Sequence, residues 1–231
     1  MVARGLHRLG GLVYESIFAL VFPLFISLPV IADMDWGKHD LNGLMVLSHW
    51  AAYLGLGVVV FLVLRWEYRR IGGTKGWMIS KRGLAWSLLA GIALYGAAAL
   101  LLAVAKYAHI FYQPGDTGTA SSNVPLLRGP LSVLTVVASS IGSPILEELG
   151  FRGIILTKFE RLTNRPIAAI LAALFFVIAH LPGIIAGLSM FIFALVNTWL
   201  DRRYDSLVPG MVSHITYNTI VLLSLLATGA V

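Results

Sequence analysis

Long apolar runs broken by short clusters of charge set the pattern of this chain. Seven runs stand out, at about residues 11–32, 41–64, 84–105, 130–161, 167–181, 184–200 and 207–226. A helix needs about 20 apolar residues to cross a bilayer core of about 30 Å, so the pattern predicts an all-α, polytopic transmembrane bundle of about seven spans. The first run follows Arg4 and Arg8 and has Val30 and Ala32 at cleavage-like positions, as a signal peptide would. It is longer than the roughly 7–15 residues of a signal core, so it is expected to be a retained helix, bent at Pro23 or Pro29. Asn164-Arg165-Pro166 reads as a turn with proline at the first helical position, and Pro182-Gly183 stops the fifth run.

The segments between the runs carry the polar information. Residues 33–40 form a short polar turn, and 106–129, which contains Gln113-Pro114-Gly115-Asp116, reads as an exposed loop. The connector 65–82 is strongly basic and interleaved with Trp66, Tyr68 and Trp77. That combination suits a membrane surface with interfacial aromatics. A nucleic-acid patch is the rival reading, but no groove-binding or single-strand module accompanies it. With the N-terminus inside, the cytoplasmic segments hold thirteen Lys and Arg residues and the outer ones three, with Arg152 inside a span. This positive-inside bias predicts the N-terminus in and the C-terminus out.

Composition agrees. The chain of 231 residues is 58% hydrophobic and only 12% charged, against about 25% charged in a soluble domain. An integral membrane protein is expected. A single membrane domain is expected over 1–231, with three accessory spans and a loop in 1–129 and a helical core in 130–231. Cysteine is absent, which excludes a disulfide framework, a thiolate metal site and a cysteine nucleophile. The net charge of +6 reports topology, not a nucleic-acid partner.

Against this background one stretch is anomalous: Glu147-Glu148-Leu149-Gly150-Phe151-Arg152-Gly153, inside the fourth run. A single ionised side chain at the bilayer centre costs about 2.5–3.5 kcal/mol on insertion scales, so such residues face an interior and serve a function by default. Glu148 and Arg152, four apart, share a helix face and can pair, while Glu147 points elsewhere. His180 ends the fifth run, and His214 and Asn218 share one face of the seventh. An imidazole and an amide so placed can donate two hydrogen bonds to a developing negative charge.

Depth supports convergence for one pair. Glu147 lies 17 residues before Asn164 and His180 lies 16 after it, so a hairpin bending there brings both to one level. His214 sits only about 10 Å into its helix at ~1.5 Å per residue. Either the turn at Asn164 projects beyond the membrane or the seventh helix starts below the surface. A purely structural reading of each polar group remains open: intramembrane histidines often bond a neighbouring helix, and His49, Asn197 and Glu15 are read as structural, helix-contact and interfacial residues. Six polar groups from separate helices imply a hydrated interior cavity.

Three motifs in order, Glu147-Glu148-x-x-x-Arg152, Phe176-x-x-x-His180 and His214-x-x-x-Asn218, each on its own hydrophobic run, resemble those of the CPBP family of intramembrane proteases. That family includes CAAX prenyl endopeptidases and bacteriocin-processing, Abi-like or immunity proteins. The resemblance covers about 130–226 and implies a glutamate-dependent endopeptidase with no cofactor, in a bacterial cell (inner) membrane. By it, Glu147 activates a water that His180 helps to hold, Glu148 supports it, and Arg152 anchors Glu148. His214 and Asn218 form the oxyanion hole, and Phe176 packs. A peptide or membrane-protein substrate and the lipid bilayer are the partners implied, with no nucleic acid.

From the residues alone, a Gly-x-Ser-x-Gly elbow and a His-Glu-x-x-His zinc pair are both missing from the sequence. Glutamates with two histidines leave a metal-dependent membrane protease open. A transporter or proton relay, or a non-proteolytic immunity protein, would use the same groups differently.

Overall fold

The computed structural model describes residues 2–31, 41–110 and 129–227, and these form a helical bundle with no strand among them. Its helices are α1 (Val2–Ile26), α2 (Gly43–Arg70), α3 (Lys81–Ala108), α4 (Ser132–Leu162), α5 (Arg165–His180), α6 (Ile184–Arg203) and α7 (Val208–Ala227). All but α5 are long and apolar enough to cross a membrane. The expected turn at 33–40 and most of the loop 106–129 lie outside the described residues.

Local chemistry sets the boundaries. Asn42, Ser80 and Asn164 each accept a hydrogen bond from the backbone N–H three residues on, at 3.0 Å, and so cap α2, α3 and α5. Pro166 occupies the first turn of α5, where its missing N–H costs nothing. α1 passes through Pro23 and breaks at Ser27, four residues on, before a short turn Leu28–Ile31 that contains Pro29. The predicted bend therefore falls between the two prolines.

α4 is the axis of the bundle. Every residue from 148 to 156 is buried, whereas α2 and α3 leave residues such as Leu54, Leu62, Leu89 and Leu100 exposed, as lipid-facing helices do. α3 and α7 approach closely at Gly91, where a Cβ would lie 2.6 Å from the Ser213 carbonyl oxygen. α1 packs on α4 and α5, and Glu15 reaches Lys158 across that seam at 3.0 Å. The residue read as interfacial is thus half of an interhelix ion pair.

The beginning of α7 lies deeper in the bundle than the length of its helix implies. Ser206, Leu207, Pro209 and Gly210 are buried, and the connector covers them: Gly76 N–H donates to the Asp205 carbonyl at 2.8 Å, and Leu207 N–H to the Gly76 carbonyl at 3.1 Å. Helix α7 starts inside the packed structure. His214 therefore reaches the level of the glutamates.

Candidate active site

α4 departs from regular helix on both sides of its two glutamates. Residues Ala138–Gly142 and Leu149–Ile155 form wide π turns around the α-helical Ser143–Glu148. Such turns cost hydrogen-bond geometry and concentrate where side chains must be re-aimed. Here they flank adjacent carboxylates that point into different surroundings.

Glu147 faces a cavity of about 450 Å3, with 18% of its side chain exposed. Its Oε2 lies 3.6 Å from His180 Nε2 and 3.8 Å from His214 Nε2. These spacings exceed direct hydrogen bonds, and both imidazole edges converge with the carboxylate on one part of the cavity wall. His180 Nδ1 is 2.7 Å from the Phe176 carbonyl oxygen, which can only accept, so Nδ1 carries a proton and Nε2 turns to the cavity. Asn218 also lines the cavity, its Nδ2 donating to the Ser139 carbonyl at 2.9 Å. Among the described residues no three His, Asp or Glu side chains form a metal-holding group.

Glu148 points away from the cavity and exposes nothing. Its Oε1 meets His214 Nδ1 at 2.8 Å and accepts from Asn197 Nδ2 at 3.2 Å, while Oε2 lies 3.2 Å from Arg152 Nε. The Arg152 guanidinium lies over the Phe176 and Phe193 rings, at 4.4 and 5.9 Å from their centroids. Ring faces replace the hydrogen bonds that its Nη atoms lack there. Behind this layer sits Asp201, fully buried, accepting the Gly210 N–H at 2.8 Å. A Cβ on Gly210 would lie 2.7 Å from Asp201 Oδ1 and 3.1 Å from Glu148 Oε2, so both carboxylates press on one bare Cα. Lys75, from the connector, interacts electrostatically with Asp201, and burial holds its ammonium below the usual lysine range.

The structure therefore brings Glu147, Glu148, Arg152, His180 and His214 into one contact network and sets Asn218 on the same cavity wall. Phe176, read as packing, contacts both Arg152 and His180, with the His180 ring centroid 4.5 Å away. Asn197 is the helix contact that the sequence suggests, and the group it holds is Glu148 on α4; Asp201 lies in the same buried layer. A signal for both was present: Phe193, Asn197 and Asp201 recur every four residues on one face of an apolar helix. α1 contributes Pro23, Ile26, Ser27 and Val30 to the cavity wall, so the accessory region shapes the site as well.

Residues 129–220 match the family model described as Rce1-like, type II CAAX prenyl endopeptidase Rce1-like. The match includes all six motif residues, supports the CPBP assignment and supports a protease role for this membrane helical bundle. No curated protein and no solved structure matches the chain.

Proposed function

We propose, from this Rce1-like segment, that the protein is an intramembrane endopeptidase that hydrolyses a peptide bond with a water activated by Glu147. The observation that carries the proposal is one carboxylate faced by two imidazoles on the wall of a cavity inside an apolar bundle. Glu147 takes a proton from the water as the water oxygen bonds to the scissile carbonyl carbon, and His180 Nε2 holds that water in line. The carbonyl oxygen becomes an oxyanion. His214 and Asn218 stabilise it, and collapse breaks the C–N bond while Glu147 returns the proton to the departing amine.

The buried layer assists from behind. In this scheme His214 enters the step already as an imidazolium, with Nδ1–H donating to Glu148, which fixes the ring, and Nε2–H directed at the oxyanion. Arg152 and Asn197 keep the Glu148 carboxylate in that pose.

The deciding experiment is Glu147→Gln in full-length protein in native membranes, read by comparing peptide termini across the membrane proteome. Termini made by the enzyme are expected to vanish while the protein still accumulates and inserts. Termini that persist unchanged remove the mechanism. Cleavage that survives a strong chelator separates this chemistry from a metal-dependent one.

A further inference from the structure

The cavity is not centred between the two ends of the bundle. Helices α1, α5 and α7 run away from the end that carries the basic connector and the Asp201–Ser206 turn, while α4 and α6 run toward it. On the helices that line it, the cavity reaches the opposite half. It includes Val30 near the end of the first span, Ser139 near the start of α4, Met190 in the first half of α6 and Val221 in the second half of α7. From the level of Glu147 and His214, Ser139 and Val221 lie eight and seven residues outward, or about 10–12 Å of helix at ~1.5 Å per residue.

Toward the basic end the way is filled. Leu149, Ile154, Ile155, Leu156 and Phe159 of α4 and Leu207 ahead of α7 are at most 1% exposed, and the Glu148–Arg152 pair and Asp201 lie in the same packed layers. Among the described residues the other end is recessed. α5 has only 16 residues, about 24 Å of helix against a core of about 30 Å. It stops at His180, one residue before the exposed Leu181.

Lysine and arginine mark the cytoplasmic side, and they gather at the closed end. We infer that the site draws its substrate from the non-cytoplasmic face. Its substrate class is then an exported or membrane-anchored polypeptide cut outside the cytoplasm, not a prenylated tail held at the cytoplasmic leaflet. This rests on the peptidase reading for the nature of the substrate, but the sidedness has its own test.

The chain has no cysteine, so single cysteines report access without background. Met78→Cys marks the basic connector, Tyr107→Cys the far end of α3, and Ser143→Cys the cavity wall; Met78 and Tyr107 are 87% and 90% exposed. A membrane-impermeant maleimide is expected to label Tyr107→Cys and Ser143→Cys in intact cells, and Met78→Cys only in inside-out vesicles. Labelling of Ser143→Cys only in inside-out vesicles, or from neither side, overturns the inference, as does labelling of Met78→Cys in intact cells. Ala179→Cys, on the same wall, replaces Ser143→Cys if that variant does not accumulate. Labelling needs no turnover, so an active Glu147→Gln would remove the peptidase reading and leave this result intact. Where termini do vanish in Glu147→Gln, they are expected in non-cytoplasmic segments, and cytoplasmic ones overturn the assigned substrate class.

Discussion

Glu147 borders a cavity with 18% of its side chain exposed, whereas Glu148, the next residue, exposes none and is held by Arg152, Asn197 and His214. The same carboxyl group is thus placed in a wet regime and a dry one by a single step along α4. In the wet half, removing a group should cost chemistry. In the dry half, removing one leaves a partner charged, buried and unpaired, so the cost should fall on stability. His214 joins the halves, with Nε2 toward Glu147 and Nδ1 on Glu148.

The largest expected effect breaks the dry half. Arg152→Met leaves the Glu148 carboxylate without its only guanidinium partner among the described residues, and loss of one member of a buried pair costs about 3–5 kcal/mol. Thermal denaturation in detergent should show it, or the variant should fail to accumulate. A variant as stable as wild type would mean that Glu148 is not held by charge.

Next comes the wet half. Asn218→Ala removes a proposed oxyanion donor, and deletion of one such donor costs about 10²–10³-fold in kcat. Its other hydrogen bond, to the Ser139 carbonyl, contributes only about 1 kcal/mol of stability. Single-turnover cleavage and thermal denaturation measured on the same preparation test the contrast. A large fall in stability with little change in rate would move Asn218 into the dry half.

Gly210→Ala probes the seam between α6 and α7 behind Glu148. The new methyl would press on both the Asp201 and Glu148 carboxylates, and overpacking of this kind costs about 1–3 kcal/mol. If thermal denaturation detects no loss, the two carboxylates have room to separate.

How much of this was legible in the sequence differs between the halves. The spans were readable because lipid demands long apolar helices whatever their packing partners. Glu148–Arg152 was readable because it is local, four residues along one helix. The convergence of His180 with Glu147 followed from counting outward from Asn164. His214 did not follow, because its depth depends on a turn drawn inward by backbone bonds to Gly76, some 130 residues earlier in the chain. Asn197 and Asp201 share a legible helix face with Phe193, but that this face meets Glu148 and Gly210 appears only when α6 lies against α4 and α7. The π turns also left no periodic signature, since they re-aim side chains without changing which residues are apolar.

The smallest effect has the opposite sign and lies one residue beyond His180 on the cavity wall. Leu181, directly after His180, adopts left-handed backbone angles, φ 44 and ψ 46, to end α5. That conformation costs a non-glycine residue about 1–2 kcal/mol, and its side chain, 87% exposed, recovers little by packing on the protein. Leu181→Gly removes the strain but gives back about 0.5–1 kcal/mol through the greater freedom of an unfolded glycine. A net gain of about 0.5 kcal/mol in detergent is therefore expected, where Gly210→Ala loses several times that. The dry half contains a glycine that has no room for a methyl group, and the end of α5 a leucine in a conformation suited to glycine. If Leu181→Gly is instead destabilising, the leucine side chain supports the end of α5, which is packed more like the dry half than its exposure suggests.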